Sequence, residues 1–322
     1  MKTKFFIGPM SKNVVDAIIA FNRTRNENVG IIPSRRQIEN TGGYSNKWTT
    51  EALRKYAPDL LIKRDHAGPG QGNFDDDGYD SLKEDCNYMD FIHIDPWKKY
   101  TKYEDGMKWT AEMIKFCHSL NPQIKFEVGT EESIRRFDHY ELTDLLNDLK
   151  ANLSESSFHQ IKYLVIQSGT SLKNNQNTGT YDRDRLLNMI KVSRKFNLLS
   201  KEHNGDYISE ELIFEKMSLG LGSINIAPEF GLIETQTYLD EISDNQLLLN
   251  KYWQICYDSK RWEKWVSKSF DPKKNKIELI KICGHYVLSD INFTKEIKTK
   301  FKKIDLKIMN NIITKLNKLH GY

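Results

Sequence analysis

The sequence lacks the signals that mark secreted, membrane-spanning and zinc-finger proteins. Its four cysteines, Cys86, Cys117, Cys256 and Cys283, are widely spaced, and none forms the C-x-x-C pair of a structural zinc site. No apolar run approaches the roughly 20 residues that span a bilayer. The N-terminal stretch breaks at Gly8-Pro9 before a signal-peptide core could form. We therefore expect reduced cysteines, no membrane partner and a cytoplasmic location.

The sequence also lacks a strong excess of one charge. Lysine and arginine total 48 against 44 aspartates and glutamates, which leaves a net charge of +4. Many of the surplus lysines stand beside asparagines in the last third of the chain, so no concentrated basic surface is predicted. This argues against nucleic acid as the main partner.

Short apolar runs alternate with longer amphipathic stretches along the first two thirds of the chain. Ser11, a good N-cap residue, opens the first helical pattern. Near-continuous apolar runs are typical of parallel strands covered by helices. The strand candidates are residues 4–8, 28–34, 59–65, 89–95, 124–130, 161–169, 196–203 and 221–228.

Eight such strands predict an α/β fold, a (β/α)8 TIM barrel over residues 1–240. A doubly wound open sheet is the alternative, but the usual G-x-G-x-x-G after the first strand is missing. Residues 241–322 read as helix and predict a C-terminal extension packed on the barrel. A barrel of this length is ordinary as one domain.

Polar residues stand at the ends of most predicted strands, where barrels gather their catalytic groups. An unpaired buried charge at such a position costs several kcal/mol, so stability alone does not explain them. We expect them to converge on one pocket. They are Arg35, Arg36, Gln37 and Glu39 after the second strand, Asp65 and His66 after the third, His93 and Asp95 in the fourth, Glu127 and Glu131 around the fifth, Gln167 in the sixth, Glu202, His203 and Asp206 after the seventh, and Asn225 and Glu229 at the eighth.

Three histidines and one acid of this set have the chemistry of a metal site. His66, His203 and His93, with Glu127, offer imidazole and carboxylate ligands that suit zinc, and a catalytic zinc takes about three protein ligands. Asp65 is then free to move a proton. The alternative for each histidine, and first for His93, is a hydrogen-bonded structural residue.

Several segments together resemble one known family. Residues 35–45 (RRQIENTGGYS), 64–72 (RDHAGPGQG), 91–97, 127–132, 165–170, 201–209 (KEHNGDYIS) and 225–238 come in the order and approximate spacing of the tagatose-bisphosphate aldolase Z, or non-catalytic, subunit. Residues 261–270 and 283–293 are similar to the closing helical segments of that family. The family is similar in fold to the class II, zinc-dependent ketose-bisphosphate aldolases.

The resemblance implies roles for individual residues. Asp65 resembles the proton-transfer acid of class II aldolases, His66 and His203 resemble zinc ligands, and Glu127 stands where those enzymes carry acids near the metal. The implied activity is a carbon–carbon lyase on a phosphorylated ketose, such as tagatose or fructose bisphosphate, or on a related acidic sugar. Zinc would stabilise an enediolate in this chemistry.

Two other functions stay open. Gln167 stands where the catalytic aldolases have a third zinc histidine, which favours a barrel that stabilises a partner aldolase subunit without chemistry of its own. A sugar-phosphate isomerase or epimerase is the further alternative, because the same enediolate serves it. Arg35 and Arg36 are candidates to bind an acidic substrate. We also expect a homo-oligomer.

Overall fold

The fold is a (β/α)8 barrel, described by a computed structural model over residues 3–173 and 176–321. Its parallel strands are β1 Phe5–Ile7, β2 Gly30–Ile31, β3 Lys63–Ala67, β4 Phe91–Ile94, β5 Lys125–Val128, β6 Ile161–Ile166, β7 Leu199–Glu202 and β8 Ser223–Ile226. Their neighbour order is β2-β1-β8-β7-β6-β5-β4-β3. Two isolated bridges, Ile31 with Ile62 and Ser34 with Asp65, join the outer strands and nearly close the barrel. All eight predicted strands and the predicted fold class are confirmed.

Helices follow the strands and cover the outside of the barrel. The side chain of Ser11 accepts a hydrogen bond from the backbone N–H of Val14, which confirms it as the cap of the first helix. The helices around the barrel are α1 Lys12–Arg25, α2 Thr50–Tyr56, α3 Tyr79–Tyr88, α4 Tyr103–Leu120, α5 His139–Asn152, α6 Glu155–His159, α7 Arg183–Lys195, α8 Glu210–Leu219 and α9 Pro228–Ile242. A short hairpin, Leu172–Lys173 with Gln176–Asn177, follows β6.

The rest of the chain is helical and lies against the barrel. It forms α10 Gln246–Asp258, α11 Lys276–Cys283, α12 Ile291–Lys300 and α13 Ile304–His320, with short 3-10 turns at Glu263–Trp265 and Gly284–Val287. Helix α13 packs on α1 and α9. The division into two domains at residue 240 stays a prediction, and α9 itself runs past it. None of the helices in the described ranges combines the length and apolarity needed to cross a membrane.

Aromatic rings fill the inside of the barrel and surround two buried lysines and a glutamate. The Lys63 ammonium lies 3.8 Å from the ring centroid of Tyr163, and that of Lys201 lies 3.8 Å from the ring centroid of Phe6. Glu127 accepts a hydrogen bond from Lys63, and its carboxylate lies 3.4 Å from the Lys201 ammonium. Burial lowers the pKa of Lys201 well below its usual range. The barrel interior therefore holds charge directly beneath the carboxyl ends of its strands.

A buried ion pair between the barrel sheet and its helical cover joins β3 to α3. Lys63 and Arg64 are adjacent in β3, so their side chains point to opposite faces of the sheet. Arg64 is directed outward and donates to both carboxylate oxygens of Asp85 at 2.7–2.9 Å, and also to the backbone carbonyls of Pro33 and Ile38. Neither side chain is exposed.

This pair predicts a large difference between two aspartate substitutions. Asp85→Ala leaves the Arg64 guanidinium without its buried counter-ion and should lower the free energy of unfolding by about 3–5 kcal/mol. Asp59→Ala removes an exposed partner of Arg23 and should change it by less than about 1 kcal/mol. Urea unfolding followed by circular dichroism measures both. Equal stability of the two variants would contradict the importance of the buried pair.

Candidate functional site

An irregularity in β3 brings two adjacent side chains into the same pocket. The register between β3 and β4 shifts between Arg64 and Ala67, and His66 has a left-handed backbone with φ of +46°. In a regular strand Asp65 and His66 would point to opposite faces, but a bulge redirects one of them. Both side chains reach the pocket at the carboxyl end of the barrel. Such strained backbone is typical of functional sites.

Three imidazole rings meet at this end of the barrel. His66 comes from β3, His93 from β4 and His203 from the residue after β7. Their ring centroids lie 4.8–5.1 Å apart, and Nδ1 of His203 is 3.4 Å from Nε2 of His66. The carboxylate of Asp65 lies 3.7 Å from the His203 ring and 3.8 Å from the His66 ring. One ligand atom from each of these four residues can be chosen so that all lie within 4.8 Å of one another.

Each imidazole is anchored by its outer nitrogen. Nδ1 of His66 lies 2.5 Å from a carboxylate oxygen of Asp95, which also accepts from the Thr130 hydroxyl. Nε2 of His93 lies 2.9 Å from the backbone carbonyl of Gly129, a residue whose φ of +97° favours glycine. Nε2 of His203 lies 2.7 Å from the carboxylate of Glu127. With each outer nitrogen as the donor, a neutral ring keeps its inner nitrogen as an acceptor, the arrangement that surrounds metal-ligating histidines. In His93 this inner nitrogen, Nδ1, accepts a hydrogen bond of 3.3 Å from the backbone N–H of His66.

Glu127 connects this cluster to the charged barrel interior. Burial opposes its ionisation, but Lys201, Lys63 and the hydrogen bond from His203 hold its pKa well below the usual range. It is fully buried and does not line the pocket. Glu127 is therefore placed to orient the ring of His203, and its predicted contact with the metal or substrate stays a prediction.

The protonation states of His66 and His93 differ strongly in the metal-free protein. Burial lowers the pKa of His66, but the carboxylates of Asp65, Asp95 and Glu131 outweigh it and raise the pKa to about 10. Burial lowers the pKa of His93 to about 4, despite attraction from Glu127. At neutral pH His66 therefore carries the positive charge that balances the acids around it.

A cavity of about 200 Å³ opens above the cluster. Asp65 accepts a hydrogen bond of 3.3 Å from the side-chain amide of Asn225 on its wall. The predicted residues that line it are Gln37, Asp65, His66, Glu131, His203, Asp206 and Asn225. A larger cavity of about 650 Å³ lies at the opposite end of the barrel, around Leu199 and Gly222, away from the histidines.

The other predicted residues lie outside this cavity. Arg35 is buried and bonded to Glu39 and Asp76, and it also donates to the Gly68 carbonyl. Glu202 pairs with the buried Lys216 at 2.8 Å. Asp95 supports His66 from behind.

Gln167 and Glu229 also have partners of their own. Gln167 donates to the backbone carbonyls of Thr130 and Arg135. Glu229 pairs with Lys315 at 2.6 Å and accepts from the backbone N–H of Tyr207. Arg36 lines a neighbouring cavity. For these residues the predicted contact with substrate stays a prediction.

The C-terminal segment supplies walls of the cavity that the sequence did not indicate. Trp265, His285 and Tyr286 line it together with Tyr44 from the loop after β2. His285 is 3% exposed, and neither of its ring nitrogens has a hydrogen-bond partner among the described residues. The sequence offered one signal, the similarity of residues 283–293 to the closing segments of the aldolase Z family. That similarity identifies the segment but does not predict its contact with the site.

The fold and the cluster together define a (β/α)8 barrel with a candidate metal centre at the carboxyl ends of its strands. No protein-family model matches the chain, and no curated protein matches its sequence. The fold is shared with a probable tagatose 6 phosphate kinase from Sinorhizobium meliloti 1021, at 14% identity and a TM-score of 0.74, covering 99% of this chain and 100% of that one.

Two further solved structures have the same fold. The YdjI aldolase from Escherichia coli K12 is 12% identical with a TM-score of 0.54, covering 92% of this chain and 90% of that one. The glycerol-complexed fructuronate-tagaturonate epimerase UxaE from Cohnella laeviribosi is 10% identical with a TM-score of 0.64, covering 99% and 81%. The expected likeness to class II aldolases is thus confirmed at the level of the fold.

The two histidine pKa values predict distinct titrations in chelator-treated protein. His66 should remain an imidazolium at pH 8 and lose its charge only near pH 10, whereas His93 should stay neutral down to about pH 5. Side-chain ¹⁵N NMR measures both, with His66→Gln and His93→Gln variants to assign the signals. Titration of both rings near the ordinary value of about 6.5 would contradict this arrangement of charges.

Proposed function

We propose that this protein is a divalent-metal-dependent enzyme of class II aldolase type, a lyase that cleaves or forms a carbon–carbon bond in a phosphorylated ketose or a related acidic sugar. One observation carries the proposal: three imidazoles with anchored outer nitrogens and the Asp65 carboxylate each place one ligand atom within 4.8 Å of the others. Asp65, His66 and His203 line the pocket, and His93 is fully buried. The low-identity structural relatives support the barrel on which such chemistry is built.

The residues present fit a metal ion of the zinc type. His66, His93 and His203 would hold it. These three imidazoles match the three protein ligands of a catalytic zinc site, and the third comes from β4. A metal there would act as a Lewis acid that stabilises negative charge on the carbonyl and hydroxyl oxygens of a ketose. The hydrogen bonds to Asp95, Gly129 and Glu127 fix the ring orientations for this purpose.

Asp65 is the proposed proton-transfer residue. It lines the pocket beside the histidines, and the hydrogen bond from Asn225 to its Oδ1 orients the carboxylate. In cleavage its carboxylate accepts the proton of the hydroxyl next to the scissile bond. That oxygen becomes the aldehyde carbonyl, the electron pair of the broken bond stays on the ketose fragment, and protonation of that fragment completes the reaction.

Other pocket residues bind and orient the sugar in this proposal. Gln37, Glu131 and Asn225 place amide and carboxylate groups around the cavity, where they can hydrogen-bond hydroxyl groups. Glu127 is a positioning residue, because it acts on His203 and not on the substrate. Cytoplasmic location, a homo-oligomeric state and an aldolase partner subunit stay predictions.

The metal site is tested by elemental analysis of protein purified without chelator or metal-affinity tag. We expect near-stoichiometric zinc or another divalent metal, and its loss in His66→Ala, because one of three ligands and the support of Asp95 are removed. His159→Ala, at the exposed end of α6, is the matched control and should keep the metal. If the folded wild-type protein neither contains nor binds metal, the proposed metal-dependent reaction is contradicted.

Asp65→Asn separates chemistry from metal binding. The amide cannot accept the proton, so cleavage of a ketose phosphate should fall by about 10²–10⁴-fold while the metal content stays that of the wild type. Coupled detection of the released aldehyde measures the rate. An unchanged rate would show that another group moves the proton.

An epimerase of the same type is the second candidate function. The fructuronate-tagaturonate epimerase shares the fold over 99% of this chain, and the same oxygen-centred charge stabilisation serves both reactions. Incubation with substrate in deuterated water distinguishes them: deuterium incorporation and a stereoisomer without aldehyde release indicate an epimerase. Metal binding without either reaction favours the auxiliary-subunit alternative, which co-purification with a partner aldolase then tests.

A further inference from the structure

A second cavity of about 500 Å³ lies beside the candidate site and shares with it the walls formed by Ser34, Tyr44 and Tyr286. Its remaining lining is strongly cationic and includes Arg36, Lys260, Arg261 and Lys264, with Gly72, Asn73 and one acid, Glu263. Most of these groups come from the segment that precedes α11, outside the barrel strands.

The cations of this cavity form no ion pairs with the described acids. Within residues 3–173 and 176–321, no carboxylate forms an ion pair with Arg36, Arg261 or Lys264, and Glu263 forms none either, whereas the buried Arg35 next to Arg36 has two. Arg36 donates through Nε to the carbonyl of Gly72, which leaves the rest of its guanidinium available.

Aromatic walls hold two of the cations in place. The guanidinium of Arg261 lies 5.2 Å from the Tyr44 ring centroid and 5.5 Å from that of Tyr286. The ammonium of Lys264 lies 4.5 Å from the Trp265 ring centroid. Such contacts orient cations without neutralising them.

Both burial and the neighbouring cations disfavour the charged form of Lys264. Its side chain as a whole is exposed, yet desolvation of the ammonium and the nearby charges of Arg36, Arg261 and Lys98 lower its pKa to about 8. At neutral pH it is still mainly protonated. A bound anion would relieve this repulsion.

The usual place for an anion in a (β/α)8 barrel is already filled by the protein itself. That place lies at the loops after the seventh and eighth strands, next to the start of a helix. Here Asp206 accepts hydrogen bonds of 2.9 and 2.8 Å from the backbone N–H groups of Ala227 and Glu229 at the start of α9, and the intervening Pro228 has no N–H. These N–H groups are therefore occupied by the protein's own carboxyl group, and the neighbouring Glu229 is paired with Lys315.

We propose that Arg36, Arg261 and Lys264 form the subsite for the acidic group of the substrate, a phosphate or a carboxylate, on the β2 side of the pocket. The inference rests on the proposed function for its substrate, but the subsite is tested on its own. A sugar whose reacting carbons lie at the histidine cluster would extend past Tyr44 and Tyr286 and end among these cations. Guanidinium groups suit either oxyanion.

The test is anion binding by full-length, metal-loaded protein. Inorganic phosphate and glycolate are titrated by calorimetry into the wild type, Arg36→Gln and the double variant Arg261→Gln/Lys264→Gln. Lys268→Gln is the control, because it removes one exposed positive charge of the same segment outside the cavity. We expect about tenfold weaker binding for each cation removed and no change for the control.

The two anions distinguish the sources of the acidic group. Clearly tighter binding of phosphate indicates a phosphorylated sugar, and glycolate binding as tight as phosphate indicates a sugar acid. Equal affinities of wild type and double variant, or no binding of either anion at about 10 mM, would overturn the subsite.

Metal content, measured on the same preparations, keeps the two proposals apart. If the wild type contains no metal but binds anions through the three cations, the proposed function is contradicted and the subsite is supported. If the wild type contains metal but binds neither anion, the subsite is contradicted and the proposed function is not.

Discussion

The structure depends on one buried carboxylate, Glu127, which satisfies two demands at once. Inside the barrel it is the only described acid that pairs with Lys63 and Lys201, and these ammonium groups would otherwise stand among aromatic rings without a negative partner. At the carboxyl ends of the strands its other oxygen holds the ring of His203. Stability of the barrel interior and geometry of the candidate site therefore cannot vary independently, because the same ionised group serves both.

Much of the fold could be predicted from the sequence, because its cause is local and repeated. Each buried parallel strand needs an apolar run, and each covering helix needs an amphipathic one, so eight alternations define the barrel. Ser11 illustrates the same directness, since a helix start needs an acceptor for its free N–H groups and a serine side chain supplies it.

The candidate site was predictable in composition but less so in geometry. Strand ends identified His66, His93 and His203, yet side-chain direction depends on details such as the β3 bulge, which no period in the sequence reveals. Arg35 and Arg36 are adjacent and chemically identical, but Arg35 forms ion pairs with Glu39 and Asp76, whereas Arg36 lines a cavity. Walls supplied by the C-terminal segment follow from long-range packing, which a reading of strand ends cannot detect.

The location of those walls has a consequence for how ligand preference can change over evolutionary time. The histidine cluster is built from strands β3, β4 and β7, whereas Trp265, His285 and Tyr286 come from a segment outside the barrel sheet. These three residues line the mouth of the pocket but take no part in the strand pairing or in the described contacts of Glu127. Part of the pocket mouth and the histidine cluster thus come from separate stretches of the gene, which can accumulate substitutions separately.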